Sequence, residues 1–584
     1  MYKDIDQQFA DFFPETIRPL VYLLSQRLRE GHVCIPLSKE EKEILLNSPD
    51  NIWSQEDKAV PFIFENDYLY LQRYFRYEKN IVTHIKKRLE NSRFKQAQYK
   101  LAIDGVQELI KTLSAKNNLD GLTEDEKIDW QLIAVIRTLM NDFSIITGGP
   151  GTGKTTTLSK LLRILFTISP DSKVAIAAPT GKASMRMLES LLHKAKGDIP
   201  DEIRKKIEAL KPNTIHRLLG YIHHSIYFKH NAQNPLPYDW VIIDEASMID
   251  MPMFAKLLDA CGENTRILLL GDKNQLASVE AGSLLSDLCF SAGHLNVFTS
   301  SEIEWFNSFI PDHIRHITDK YERPDPSDLS TCITELRYSY RFQERGEIGK
   351  LSRAIIAGEH QEAIDLVEKS DGHMIHMIDH NHQQAFEHFV SGYLDFLMEE
   401  DISEALKKLN QQRVLATVKE GENGLYALNK LIEKILYQER PDLINPSNGF
   451  YHNRPVIVTR NNRELDLYNG DVGIVRRDES GKMTVYFEPN KVGKSPRPFS
   501  PASLNDCETV FAMTIHKSQG SEFTRVMVVL PDHADNRLLT RELIYTGVTR
   551  AISKAIIRGG KDCLVAGIER KVERISGIHE RFKA

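Results

Sequence analysis

The chain has 584 residues, 41% hydrophobic and 27% charged, a balance that suits several soluble domains with substantial cores. A formal net charge of −6 excludes a global positive field drawing the whole chain to nucleic acid or anionic lipid, so any DNA must be held in a local groove. No segment approaches about eighteen uninterrupted apolar residues and the N-terminus, MYKDIDQQFADFF, carries no basic region followed by an apolar run, which implies a cytoplasmic chain with no membrane partner.

Residues 1–110 begin with helical patterning over Ile17 to Leu28. Val60 to Phe64 and Tyr68 to Phe75 then alternate like a hairpin about Glu65-Asn66-Asp67. The aromatics of Tyr68 to Tyr77 fit a half-buried strand face better than a base-stacking surface, since aromatic residues favour strands. The six cysteines lie far apart with no CxxC pair and suggest neither a zinc site nor a disulfide framework.

From Ile133 to about Leu295, strand-like runs alternate with helical segments, which predicts a parallel sheet with crossover helices. The strands are Ser144 to Thr147, Val174 to Ala178, Trp240 to Ile243 and Arg266 to Leu270. The first is followed by Gly148-Gly149-Pro150-Gly151-Thr152-Gly153-Lys154-Thr155 and then by a helical run from Thr156. Strand, glycine-rich turn, lysine, hydroxyl and helix in that order form a P-loop: converging amides and a helix N-terminus attract phosphate. Lys154 is placed to reach the β and γ phosphates of ATP, and Thr155 to ligate Mg²⁺.

The strand at Val241 ends in Asp244-Glu245. Asp244 suits Mg²⁺, and Glu245 suits orienting and deprotonating an attacking water. Gly271 to Gln275 follows the next strand, so Asp272 and Gln275 sit at the same sheet edge, either as an Asx turn or as a sensor of the γ-phosphate. Residues 311–330, polar and proline-containing, read as the connection between halves.

A second α/β stretch runs from about Thr331, with strands expected at Arg413 to Thr417, Val510 to Met513 and Val526 to Leu530. Within it, Arg454 to Thr459, a turn at Asn469 to Asp471, Val472 to Arg476 and Met483 to Phe487 predict a small inserted β-barrel. His373, His376, His380, His382 and His388 lack acidic or cysteine partners at ligand spacing and read as solvated helix and loop.

The motifs GGPGTGKTT, AAPTGKAS, TIHRLLG, VIIDEASMID, LGDKNQLASVEAG, SYRF, TIHKSQGSEF and YTGVTRA occur in the order of superfamily 1 DNA helicases. Their wording, with GHVCIPLS, LYLQRYFRYE and RPVIVTRNNRELDLYNGDVGIV, resembles the RecD family, the 5′-to-3′ helicase subunits of bacterial RecBCD (exonuclease V) complexes. The resemblance implies an α/β fold with two RecA-like parallel-sheet P-loop NTPase domains and ATP between them. It divides the chain into an N-terminal α+β docking domain over 1–110, a first RecA-like domain over 111–330, a second over 331–445 and 506–584, and an SH3-like insert over 446–505. The implied activity is ATP-dependent unwinding or translocation in double-strand break repair. The implied partners are single-stranded DNA at a duplex end and RecB-like and RecC-like subunits, with the nuclease site in another chain.

Carried over position by position, Gln131 matches the glutamine that reads adenine, and Arg341 and Arg550 match two arginines that approach the γ-phosphate. From the residues alone, either arginine could equally be a surface ion pair. Thr156, Gly520 and Glu522 match positions on the nucleotide side, as does Gln519. The DNA-contacting matches are Pro179, Thr180 and Lys182; Thr214 and His216; and Thr514, His516, Lys517 and Ser518. Thr214 is also well placed to cap a helix over Ile215 to Leu219. Residues 219–238 are either an ordinary connector or the small hairpin the family carries at the point of strand separation.

Overall fold

The computed structural model describes residues 4–49, 51–114, 123–195, 199–341, 346–370, 372, 374–446, 449–462, 464–478, 480–489 and 494–583. His373 of the histidine group lies outside them. Among the described residues no group of three His, Cys, Asp or Glu side chains is arranged to hold a metal, and no helix is long and apolar enough to cross a membrane.

The N-terminal sheet joins β1 (Cys34–Pro36), β2 (Trp53–Ser54), β3 (Phe62–Glu65) and β4 (Tyr68–Leu71) in the order β1-β4-β3-β2. β3 and β4 pair antiparallel across Asn66 and Asp67, whose φ values of 51° and 68° suit a tight two-residue turn. The second strand stops at Leu71, short of the expected Phe75. Gln72 opens a 33-residue helix, Gln72–Asp104, because Phe75, Ile81, Val82, Ile85 and Leu89 recur at helical spacing and are buried together.

The first large sheet contains β5 (Phe143–Gly148), β6 (Val174–Ala178), β7 (Asn213–Thr214), β8 (Trp240–Ile243), β9 (Arg266–Gly271) and β10 (Ile333–Leu336). Its order is β10-β5-β9-β8-β6-β7, and every pair is parallel. Apolar side chains alternate between its faces. Ile145, Val241, Ile243, Ile267 and Leu269 share a core with Phe75, Ile81 and Ile85 of the long N-terminal helix, whereas Ile146, Ile242, Leu268 and Leu270 pack on Leu158, Leu161 and Leu162 of the helix after the P-loop. The N-terminal region is therefore seated directly on one face of this sheet.

Since Ile333 to Leu336 pair with Ile145 to Gly148, the first sheet continues past residue 330. The 311–330 segment is thus not the connection between halves. It folds back with Ile314, Ile317 and Tyr321 buried in the first core, and the crossing comes after Leu336. There Ser339 Oγ donates to Pro150 O at 3.0 Å and Tyr340 N to Gly151 O at 2.9 Å, laying the crossing segment against the P-loop.

The second large sheet holds β11 (Ile375–Ile378) and β12 (Gln412–Ala416). An inserted antiparallel sheet follows, β13 (Pro455–Val458), β14 (Val472–Arg477), β15 (Met483–Phe487), β16 (Arg497–Phe499) and β17 (Cys507–Thr509), ordered β16-β15-β14-β13-β17. The chain then re-enters the second sheet through β18 (Ala512–Thr514), β19 (Phe523–Val529) and β20 (Ala551–Arg558), in the all-parallel order β11-β20-β19-β12-β18. The strand expected at Val510 begins later because Cys507 to Thr509 still pair with β13, and the buried Val510 and Phe511 carry the chain from one sheet to the other. His380 departs from the expected solvated state: it is half-buried with both ring nitrogens shielded, and burial, then Arg558, lowers its pKa.

The last residues leave the second sheet and return to the first. Val33 N donates to Ile575 O at 2.8 Å, Gly577 N to Glu78 Oε2 at 2.9 Å and Arg581 Nε to Glu78 Oε1 at 2.8 Å, with Ile578 fully buried. This segment ties the two halves together a second time.

Candidate functional site

The P-loop leaves β5 at Gly148 and enters the Lys154–Ile168 helix through Gly151 and Gly153, with φ of 77° and 85°. Both positions need glycine for a second reason: a side chain at Gly151 would strike Arg341, and one at Gly153 would strike Gln131. Lys154 Nζ donates to Gly148 O at 2.6 Å and to Gly149 O at 3.3 Å, and Thr152 Oγ1 donates to Gly149 O at 2.8 Å. Gln131 is buried behind the loop, where Nε2 donates to Thr152 O at 3.1 Å.

In front of the loop lies a cavity of ≈ 360 Å³ with walls from both large sheets. The first half contributes Pro150, Gly151, Gly153, Lys154, Thr155, Thr156, Asp244, Glu245 and Gln275; the crossing segment beside the P-loop contributes Arg341, and across the cleft stand Gly520, Glu522 and Arg550. Five cations, Lys154, Arg186, Lys194, Arg341 and Arg550, face three carboxylates, Asp244, Glu245 and Glu522. That excess favours a polyanion.

Asp244 and Glu245 directly follow β8, and Glu245 takes a left-handed backbone, φ 52°, with both consecutive carboxylates lining one cavity. Glu245 N donates to Asp244 Oδ1 at 2.9 Å. Burial, reinforced by the neighbouring Glu245 charge, pushes Asp244 up to about 7. A carboxylate and the Thr155 hydroxyl are hard oxygen donors of the kind that fit Mg²⁺.

Buried hydrogen bonds cross between the halves here. Arg550 Nη2 donates to Gln275 Oε1 at 2.6 Å, Gln275 Nε2 to Asp272 Oδ2 at 3.3 Å and Tyr545 OH to the same Asp272 oxygen at 2.8 Å. Leu276 is clamped at both backbone atoms, its N donating to Thr546 Oγ1 and its O accepting from Gln519 Nε2, each at 3.0 Å. Arg341 Nη2 meets Glu522 Oε1 at 2.5 Å, while its buried Nη1 has no hydrogen-bond partner among the described residues. The Arg186 and Arg341 guanidiniums and that of Arg550 overcome burial to hold Glu522 down at about 2.

The expected DNA-contacting residues stand at carboxyl ends of strands. Pro179, Thr180 and Lys182 follow β6, Thr214 ends β7, and Thr514 ends β18. Thr180, Thr214 and Thr514 each accept from a backbone N–H three residues on, at 3.2, 3.3 and 3.3 Å. Thr214 therefore caps the Ile215–Leu219 helix. His216 is exposed with its ring 5.8 Å from that of Phe228, and Lys517 Nζ donates to Glu508 at 3.3 Å. Burial lowers the pKa of Lys182 and of His516. Ser518 is fully buried and donates to Ile515 O at 2.7 Å, so its hydroxyl serves the loop itself.

Residues 219–238 make a turned-back excursion with an antiparallel bridge between Tyr221 and Phe228 and exposed Ile226 and Tyr227. The inserted sheet touches the first half nearby. Arg217 pairs with Asp466 at 2.8 Å and lies 4.5 Å over the Tyr468 ring. Arg186, Lys194 and Tyr545 were not singled out in the sequence. Helical spacing from Lys182 and proximity to Arg550 are the only signals that mark Arg186 and Tyr545.

Residues 131–281 match the family model described as an AAA domain, and residues 509–557 match the UvrD-like helicase C-terminal domain. The RecBCD enzyme subunit RecD of Mycolicibacterium smegmatis is 32% identical, over 98% of this chain and 95% of that protein. The corresponding subunit of Haemophilus influenzae is 32% identical over 89% of this chain and 81% of its own length. The ATP-dependent RecD2 DNA helicase of Deinococcus radiodurans is 26% identical, and the match spans 82% of this chain but 56% of that protein.

Proposed function

The chain belongs to the RecD family of RecBCD enzyme subunits, and we propose that it is the ATP-dependent DNA helicase and translocase subunit of a RecBCD-type complex, a cytoplasmic assembly acting in double-strand break repair and recombination. The observation that carries this reading is one cavity walled by Lys154, Asp244 and Glu245 from the first half, by Arg341 from the crossing segment and by Arg550 from the second half. A triphosphate bound there would touch both halves, so its cleavage would change how they hold each other.

In this reading Lys154 and the P-loop amides hold the β and γ phosphates. Thr155 and Asp244 would hold Mg²⁺, which would supply charge neutralisation at the phosphates when bound. Glu245 orients the attacking water and takes its proton, Arg341 and Arg550 stabilise the charge that develops, and Gln275 relays its loss through the Arg550 contact. Gln131 positions the adenine from behind the loop, and Gly520 and Glu522 bring the nucleotide side of the 514–522 loop to the cleft.

Single-stranded DNA would lie along the carboxyl ends of β6, β7 and β18, held by Thr180 and Lys182, by Thr214 and His216, and by Thr514, His516 and Lys517. The helix-starting turns there offer amides to phosphates. The 219–238 excursion, with its exposed apolar tip, is placed to part the strands. RecB-like and RecC-like subunits would dock on residues 1–110, and the inserted sheet would serve as an SH3-like module. A stand-alone helicase is the second reading, set aside because the RecBCD subunit of Mycolicibacterium smegmatis is 32% identical over 98% of this chain and the RecD2 protein 26% identical over 82% of it.

The test is strand displacement on duplexes with a 5′ or a 3′ tail, with this chain alone and with RecB-like and RecC-like partners. The proposal expects ATP-dependent opening from 5′ tails, lost in Lys154→Ala. Efficient unwinding by the chain alone, with no association with those partners, would favour the stand-alone reading.

A further inference from the structure

Arg186 lies on the Gly181–Ala195 helix, one turn beyond the Thr180–Lys182 segment proposed to hold DNA. It reaches over the cleft to two partners on the 514–522 loop, one through a hydrogen bond and one through an ion pair. Nη1 donates to Gly520 O at 2.7 Å, and Nη2 pairs with Glu522 Oε2 at 2.9 Å. The other Glu522 oxygen holds Arg341 at 2.5 Å. One carboxylate is thus shared between a first-half arginine and the arginine proposed to act on the γ-phosphate.

The sharing has an energetic consequence. If Arg341 leaves Glu522 for a phosphate, a carboxylate with no other partner becomes an uncompensated charge in a partly desolvated cleft, which opposes the transfer. Arg186 offsets that penalty by keeping one oxygen of Glu522 in an ion pair. Its second bond fixes Gly520, a residue with φ 71° at which an added Cβ would lie 3.2 Å from Ala183 Cβ. The register between the two DNA-holding segments therefore runs through Arg186 as well.

We propose that Arg186 is a positioning residue that keeps Glu522 paired while Arg341 transfers to the γ-phosphate, coupling finger engagement to the seating of the DNA-side loop on the first half. The inference rests on the ATP-site reading above. It predicts that losing Arg186 slows turnover because Arg341 stays on Glu522, and that neutralising Glu522 removes this effect.

The experiment is a double-mutant cycle in the full-length chain, measuring oligothymidylate-stimulated ATP hydrolysis for wild type, Arg186→Gln, Glu522→Gln and the double variant. Arg186→Gln is expected to lower kcat about tenfold with KM for ATP within about twofold. In the Glu522→Gln background the same change should cost less than about twofold. Arg186→Lys, which keeps the charge and loses one donor, should fall between, and it serves if the glutamine variant fails to fold. An equal loss of kcat in both backgrounds, an unchanged kcat in Arg186→Gln, or a rise in KM alone would overturn the inference. Lys154→Ala is run beside them: turnover in that variant would overturn the ATP site and this inference with it, whereas a dead Lys154→Ala with no Arg186–Glu522 coupling overturns this inference alone.

Discussion

Arg550 Nη2 donates to Gln275 Oε1 at 2.6 Å between residues 275 positions apart, with both side chains buried. Gln275 is in turn bonded to Asp272, and Asp272 to Tyr545, five residues before Arg550. A chain of three hydrogen bonds therefore links the strand end beside the P-loop to the second half. Removing one member leaves others buried without partners, which is costly in a low-dielectric cleft.

Arg550→Ala should keep nucleotide binding and lose turnover by about 10³-fold or more, the lower end of what an arginine finger supplies. Equilibrium binding of a fluorescent ATP analogue together with steady-state hydrolysis checks this. Turnover at the wild-type rate would remove Arg550 from the reaction.

Glu245→Gln conserves shape but cannot accept the proton of the attacking water. Hydrolysis should fall by about 10²-fold or more while ATP is still bound. Single-turnover hydrolysis with the enzyme in excess is the appropriate measurement, and a rate near that of wild type would assign the base to another residue.

Arg217→Ala removes the Asp466 pair and the contact with Tyr468, both on the protein surface. Exposed pairs contribute roughly 0.2–1 kcal/mol, so the thermal midpoint should barely move. The inserted sheet would nevertheless lose its anchor beside the proposed DNA path, and single-stranded DNA should dissociate faster in stopped-flow fluorescence. An unchanged dissociation rate would separate the insert from DNA retention.

Asp287 accepts from Ser576 Oγ at 2.9 Å in the returning C-terminal segment, and burial pushes its carboxyl up to about 7. The folded chain therefore keeps a proton that the unfolded chain releases in the ordinary carboxylate range. The resulting stability is full at low pH and is lost as pH rises through about 7. Asp287→Asn should accordingly raise the thermal midpoint relative to wild type more at pH 8 than at pH 5. An equal difference at both values would contradict the buried titration.

Much of the first sheet was legible in the sequence. Val174 to Ala178 and Trp240 to Ile243 are continuous apolar runs between breakers, the pattern of a strand buried on both faces. The P-loop and the Asp244-Glu245 strand end were equally readable, because their chemistry depends on residues adjacent in the chain. Gln72 to Tyr77 misled because its aromatics alternate over too few residues to reveal the helical period. The polarity of 311–330 announced a surface segment but carried no information about which sheet the next strand would join. Arg186 stayed hidden for a different reason: its partner Gly520 is 334 residues away, and no spacing rule connects them.

The most direct test is a crystal or cryo-electron microscopy structure of the chain with a non-hydrolysable ATP analogue, Mg²⁺ and a short oligothymidylate. The account predicts that Arg341 and Arg550 both donate to the γ-phosphate and that Glu522 retains only Arg186. Both arginines remote from that phosphate, with the cross-cleft contacts of Gln275 and Leu276 unchanged by what is bound, would contradict it.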